Sequence, residues 1–432
     1  AMKSTTYSRY QPIVIAQDVS DKTVAYVNEH LHEYEGIAIE EDMIRKYNDS
    51  FYFASLIGYT GKISDAEYDS LHAINDTYTT EDTIGKSGLE QYYESFLRGS
   101  NGEQVVYVDT FGRIQEVVSS TEPIAGCDLY LSIDADLQKS TYLLLEQEIA
   151  GIVYSNIRSG NISMTDVYFA LIDNNVVDIR QFDDEDASAT EQAVYASFLT
   201  QKNDAINQLN TQFYSSSPLT NNEMSDELLD YVTFSIELLK NESILLTSKI
   251  DTSDSIYQKW RAGNLSPKEY LMHCITEQWI DISLLDVNSK YADTTEIYDA
   301  LCSFITTEAE TDNNFAKYVY KYMVPNNEIT GKQICLILFE QGVLDYDDDT
   351  YAKLSNGTIT PSSFILDKIN NIEITPAQLA LDPCTGSCII TDVNTGEIKA
   401  MVSYPGYDNN RLANGVDAEY YALLNEDNSN PQ

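Results

Sequence analysis

Along the chain the spacing of apolar residues changes character in three stretches. From residue 1 to about 127, short helical and strand signals alternate. Ser64-Asp65-Ala66-Glu67 is a capping box, the hydroxyl closing a helix start and the carboxylate reaching back to it. Val105-Val106-Tyr107-Val108-Asp109 and Ile114-Gln115-Glu116-Val117-Val118 flank Thr110-Phe111-Gly112-Arg113, which predicts a β-hairpin. Leu129 to Ile133 predicts a short strand. Asp134 is then expected to cap a helix running to about Ala150, with Leu137, Leu144, Leu145 and Ile149 at helical spacing. From about 151 to 375 Gly and Pro thin out and helical periodicity dominates. Leu228, Leu229, Val232, Ile236 and Leu239 mark one face, and Ile334 to Phe339 read as a buried helix segment. Ser266-Pro267-Lys268-Glu269 is a strong helix start, followed by Leu271, Cys274, Ile275 and Gln278 on one side; Thr375-Pro376-Ala377-Gln378 has the same logic. No internal repeat at a fixed period stands out. Beyond 384, Cys388 to Val393 and Glu397 to Val402 flank Asn394-Thr395-Gly396 and predict a second hairpin, before a polar tail from Asn425.

Composition adds limits. A chain of 432 residues, 43% hydrophobic and 22% charged, holds two or three folded domains. Its 69 acidic and 26 basic residues leave a net charge of −43, which disfavours nucleic acid and anionic membranes as partners. No apolar run approaches the ~18 residues of a membrane span. Ala1 ahead of Met2 looks like a cloning scar, so a membrane anchor upstream is compatible with this start. Six cysteines are scattered, and unpaired thiols are expected, with a Cys384–Cys388 bridge as the alternative.

Candidate chemistry begins with Lys86-Ser87-Gly88, a Lys-Ser-Gly triplet of the kind found in penicillin-acylated serine enzymes. Such enzymes need S-x-x-K, and no lysine here has a serine three residues before it. Ser159-Gly160-Asn161 matches S-x-N only formally. Ser87-Gly88-Leu89-Glu90 instead reads as a capping box ahead of an apolar helix face of Leu89, Tyr92, Tyr93 and Phe96. His30, His32, His72 and His273 form no zinc pattern. Asp345, Asp347 and Asp349 imitate a calcium loop, but Thr350 and Asn356 stand where Gly and Glu are needed, so a solvated acidic turn is expected. Asp183 to Asp186 reads as a charged loop. No phosphate-binding loop and no cofactor are indicated.

Five stretches, in order, resemble one family, the class B penicillin-binding proteins of bacterial wall synthesis. Arg45-Lys46-Tyr47 followed by Ile57-Gly58-Tyr59-Thr60-Gly61 is similar to "R-x-Y-P … H-x-x-G-Y-x-G" of their non-catalytic pedestal. Gly85 to Glu90, Tyr93, Leu97-Arg98-Gly99 and Gly102 are similar to "G-x-x-G-x-E-x-x-Y-x-x-x-L-x-G-x-x-G". Leu131-Ser132-Ile133-Asp134 with Leu137-Gln138 resembles the "L-T-I-D-x-x-L-Q" opening of the transpeptidase domain. Thr395 to Met401, and Ser403 to Asp408, resemble that domain's first hairpin. Ser55 stands where the family often has His, Asn409 replaces a Pro, and ~200 residues separate motifs that lie close in relatives.

The resemblance implies an α+β fold: a pedestal (dimerisation) domain over 1–127, a partial transpeptidase sheet from 128–150 and 376–432, and a largely α-helical insertion over 151–375. It implies structural roles for Arg45, Gly58, Tyr59, Gly61, Gly85, Gly88, Glu90, Gly99 and Asp134, with Arg45 and Glu90 as a candidate ion pair against two independent surface charges. It places the catalytic serine beyond Gln432, so this chain is expected to be non-catalytic, while full-length relatives are serine D,D-transpeptidases. The implied partners are glycan-polymerising membrane proteins and, for the full-length protein, peptidoglycan precursors; the implied location is extracytoplasmic and membrane-anchored. Apolar residues such as Ile390, Ile398 and Met401 are expected to lack partners and to favour homo-oligomers. A peptidoglycan hydrolase housed in the insertion and an extracellular interaction protein unrelated to wall synthesis are the alternatives.

Overall fold

The computed structural model describes residues 15–16, 19–34, 37, 39, 44–108, 114–287 and 292–426. The chain divides into two units, 1–145 with 386–432, and 146–385.

In the first unit, α1 (Asp21–Glu29) and α2 (Ser50–Ile57) precede β1 (Thr60–Lys62), α3 (Asp65–His72) and β2 (Thr83–Gly85). The capping box at Ser64 forms: Glu67 accepts from the Ser64 amide at 2.8 Å, and the Ser64 hydroxyl accepts from the Glu67 amide. β1 and β2 pair antiparallel, Thr60 opposite Gly85, beside a small cluster of Ile63, Tyr78 and Ile84. Two short helices, α4 (Gly88–Tyr92) and α5 (Glu94–Leu97), lead to β3 (Glu103–Val108) and β4 (Ile114–Thr121), an antiparallel ribbon of two strands. The loop expected at 110–113 lies outside the described residues.

Residues 129–133 do not join a ladder as a strand. They run alongside the later hairpin, where Asp134 N–H donates to the Lys399 carbonyl at 2.9 Å and Ser132 Oγ to that of Ile398 at 2.8 Å. Asp134 does cap α6 (Ala135–Ser159), accepting from the Leu137 amide at 3.0 Å. That helix runs nine residues past Ala150, and Leu144 on it is exposed rather than buried. β5 (Gly386–Thr391) and β6 (Ile398–Tyr404) complete the unit with a helix at Ala418–Glu426. Cys388 opposes Val402, Ile390 opposes Ala400 and Ile389 opposes Met401. The period of two therefore buries Ala400, Val402 and Tyr404 and leaves Ile389 and Met401 exposed, while Ile398, at the register shift that begins β6, is exposed although it shares the parity of the buried residues. Ile390 is half-buried, so Ile389, not Ile390, is the solvent-facing residue of that pair.

The second unit is helical: α7 (Met164–Asp173), α8 (Ala189–Tyr214), α9 (Asp226–Asn241), α10 (Ser255–Arg261), α11 (Pro267–Thr276), α12 (Thr294–Ala309), α13 (Asn313–Met323), α14 (Gly331–Glu340), α15 (Asp348–Ser355), α16 (Pro361–Asn370) and α17 (Pro376–Leu379). Ile334 to Phe339 are all buried on α14, as their run of apolar residues predicts. One module recurs four times. Ser163, Ser266, Thr330 and Thr360 each cap a helix of ten residues through their hydroxyls. Twelve positions after each cap, at Asn175, Gln278, Gly342 and Ile372, φ turns positive, from 54° to 69°. Two residues later Val177, Ile280, Leu344 and Ile374 are buried. The turn back satisfies a helix-end carbonyl, as when Leu344 N–H donates to Leu338 at 3.0 Å. The copies are unevenly spaced along the chain, which hides them from a search for a fixed period. Gln278 thus lies beyond the end of α11 at the left-handed position, not on the apolar face with Cys274.

Candidate functional site

The residues singled out from the sequence gather within the first unit. Glu90 is a buried acid, 6% exposed. Arg45 reaches it with a forked contact, Nε to Oε1 at 2.8 Å and the terminal nitrogen to Oε2 at 2.9 Å. Two parallel N–H donors matched to two carboxylate oxygens fix direction as well as charge. Tyr47 lies beside this pair, and burial, followed by the Glu90 charge, pushes its phenol up to about 12.

Two backbone segments cross next to the pair. Gly58 has φ +79°, and a Cβ there would lie 2.0 Å from the Ser87 carbonyl oxygen. Gly88 has φ +59°, and its Cβ would meet the Gly58 nitrogen at 2.7 Å. Both positions need the left-handed region and neither has room for a methyl group. Gly85 packs as tightly against the Glu90 backbone, and Lys86 lies over Gly61. The Lys86 amide donates to the Tyr59 carbonyl at 2.8 Å. Gly99 belongs to a separate crossing, against Ile124, and Asp134 sits at the start of α6.

The same segments are tied down by Asn410 and Asn414, which motif reading passed over, and by Asp408, Asn409 and Gln138, which it quoted without a role. Asn410 accepts from the Tyr47 amide at 2.8 Å and donates to the Tyr47 carbonyl at 3.0 Å. Asn414 treats Arg45 the same way, at 2.9 and 2.7 Å. Two primary amides thus take the place of a neighbouring strand. Asn409 is fully buried and donates to the Gly58 carbonyl at 2.6 Å. Asp408 accepts from Ser50 Oγ at 2.8 Å. Gln138, also fully buried, donates to the Tyr52 and Met401 carbonyls at 3.0 and 2.8 Å and accepts from the Met401 amide. The signal available in the sequence was the density of Asn and Asp over 408–414, a pattern that otherwise reads as an ordinary turn.

The Lys86-Ser87-Gly88 triplet is engaged in local contacts. The Lys86 ammonium pairs with Glu67 at 2.5 Å. Burial opposes ionisation of Glu67, but Lys86 and the Ser64 hydroxyl and amide outweigh it and hold the carboxyl at about 2. Ser87 begins α4 without a side-chain capping bond, and Glu90 turns inward to Arg45 instead of back to the helix start. The predicted apolar face fails for the same reason: Glu90 is the buried residue of α4, while Tyr92 and Phe96 are 79% and 63% exposed. Arg98, quoted within a motif but given no role, is a second hub. Its guanidinium pairs with Asp82, donates to the Thr77 carbonyl at 3.0 Å and lies 3.8 Å above the Tyr78 ring.

The remaining candidates carry local duties. Asp347 caps α15 through the Thr350 amide at 3.0 Å, and His273 contacts Asp254 at 3.0 Å. Among the described residues no group of His, Cys, Asp and Glu is arranged to hold a metal ion, and no helix is long and apolar enough to cross a membrane. No disulfide joins Cys384 to Cys388 or any other pair of the six cysteines.

A clamped pedestal of this kind agrees with what the chain is similar to. Residues 1–131 match the family described as the penicillin-binding protein dimerisation domain, so the N-terminal part of the chain carries that domain. It is 32% identical over 164 residues to "Peptidoglycan D,D-transpeptidase MrdA" of Salmonella typhimurium, covering 38% of this chain and 26% of that protein. It is 30% identical over 158 residues to the protein of the same name from Escherichia coli, covering 36% and 25%. It is 34% identical over 135 residues to "Penicillin-binding protein 2A" of Bacillus subtilis, covering 31% and 19%. The chain therefore matches about a quarter or less of the length of these relatives.

Proposed function

We propose that this chain acts in bacterial peptidoglycan synthesis as the non-catalytic pedestal of a D,D-transpeptidase, holding the transpeptidase fold in place and presenting a surface to glycan-polymerising membrane proteins. In this reading 1–127 is the pedestal, 128–150 with 376–432 begins the transpeptidase domain, and 151–375 is an insertion. The protein works outside the cytoplasm, tethered to the membrane. One observation carries the reading: the backbone of Arg45 and Tyr47 is gripped by Asn414 and Asn410, and β6 is gripped by Gln138. Pedestal segments and the first transpeptidase elements are thus fastened by paired hydrogen bonds, as a support must be to transmit position. Acyl transfer is assigned to residues other than these, since no S-x-x-K occurs in the 432 residues.

A fluorescent β-lactam tests the assignment. The 432-residue chain is expected to stay unlabelled, and a product of the same gene that carries S-x-x-K, should there be one, to label at that serine. Covalent labelling of the 432-residue chain removes the reading. Co-purification with the glycan polymerase of the same organism, lost in an Asn410→Ala/Gln138→Ala double variant, supports the positioning role.

A further inference from the structure

The β3–β4 ribbon is built as half of something. Two strands alone are marginal in water and need a third strand or a packed face. Here each strand has the other as its only ladder partner, and both outer edges are unpaired among the described residues. Apolar side chains stand exposed along it: Val105 47%, Tyr107 64%, Val117 49% and Val118 53%. Among the described residues the charge around it is one-sided. Between residues 88 and 131, the exposed charged side chains among those described are Glu103, Glu116, Glu122 and Asp128. The one described basic residue there, Arg98, is 9% exposed and held by Asp82.

We infer that this ribbon is a docking edge for an extended segment of a partner protein in which apolar and basic residues alternate. The segment adds as a third strand. Beside β4, where Glu116 and Val117 face opposite ways, its backbone completes the open ladder, its apolar side chains cover Val117, and its Lys or Arg side chains meet Glu116, with Glu122 just past the strand's end. A second copy of this chain is the poorer occupant. It brings the same acidic ribbon and a net charge of −43, and like charges placed opposite one another across strands repel. The inference deepens the pedestal reading and rests on it only for what kind of protein supplies the segment.

The test uses the full 432-residue chain and a labelled ten-residue peptide alternating valine and lysine, read by fluorescence anisotropy. Saturable binding is expected, with slowed hydrogen exchange over 103–121. A Glu116→Lys/Glu122→Lys variant should bind about tenfold more weakly, while Glu185→Lys, in the charged loop of the other unit, should bind as before. The idea is overturned if Glu185→Lys weakens binding equally, which is general attraction to an acidic protein. Equal binding of a valine–glutamate peptide, or of a valine–lysine peptide N-methylated along one edge, overturns it too. Ribbon-dependent dimers in sedimentation would give the site to a second copy instead. None of these outcomes touches β-lactam labelling, so the ribbon and the pedestal reading fail separately.

Discussion

In the helical unit the largest fully buried side chains, Tyr231, Tyr270, Tyr320 and Phe182 among them, fill spaces between helices, with Phe198 stacked on Tyr320 at 4.5 Å. Among the described residues of the pedestal unit, buried apolar side chains are fewer: Ile63, Tyr78 and Ile84 form one small cluster, Ala54, Tyr407, Leu412 and Leu424 another, and Tyr142, Ala400, Val402 and Tyr404 are buried besides. What the pedestal lacks in apolar volume it replaces with directional contacts, namely glycine crossings, amide clamps and a forked ion pair. A packed core loses stability roughly in proportion to the volume removed. A set of directional contacts fails when one geometry is broken, because the partner left behind is buried and unpaired. The two units should therefore respond differently to mutation, and separate melting transitions provide the measurement.

The sharpest break of that contrast is Gly58→Ala. The new methyl group would overlap the Ser87 carbonyl while the backbone stays left-handed, so a loss of ~4 kcal/mol from the pedestal transition alone is expected. Gly160→Ala is the control: φ is +80° there too, but nothing lies within 4 Å, and ~1 kcal/mol is expected. If both cost the same, backbone conformation and not the crossing sets the price. Next in size is Leu338→Ala on α14, a fully buried side chain whose loss should cost the helical transition ~3 kcal/mol and leave the pedestal unmoved.

Arg45→Met leaves Glu90 buried without its cation. Because Arg45 is itself 42% exposed and water can partly replace it, ~2 kcal/mol is expected in the pedestal transition. Glu90→Gln keeps an acceptor and should cost less; unchanged melting in both variants would show two independent charges. Thr330→Ala removes one cap of the recurring module and should lower the helical transition by ~1 kcal/mol.

The smallest effect is acid sensitivity. Glu67 is held at about 2, below its unfolded value near ~4. Its contribution is thus complete above roughly pH 4 and lost as pH falls through 2. Asp82 has the same sign: burial opposes its ionisation, but the Thr79 amide and hydroxyl, Asn101 and Arg98 keep it low. Glu94 has the opposite sign. Burial raises it, so its contribution is present when it is protonated and fades as pH rises through its raised folded value. Glu67→Gln should flatten the fall of the pedestal melting temperature between pH 4 and 2; an identical slope in the variant would detach Glu67 from the effect.

What could be read from the chain alone were features governed by near neighbours. The Ser64, Ser266 and Thr375 capping boxes form because cap and partner are three residues apart, and α14 is buried because six apolar residues in succession leave no polar face. The order of the motifs was legible for the same reason, since each is a short string. The sequence also placed Gly58 and Gly88 as glycines with a purpose, but not that they cross each other. That Glu90 turns inward and exposes Tyr92 and Phe96 depends on Arg45, forty-five positions away. That Asn410 and Asn414 serve as a strand for residues 45 and 47 depends on a return of the chain after more than 360 positions. Local rules decide which conformations a segment can adopt; the partner that satisfies its last buried hydrogen bonds is chosen only when distant segments meet.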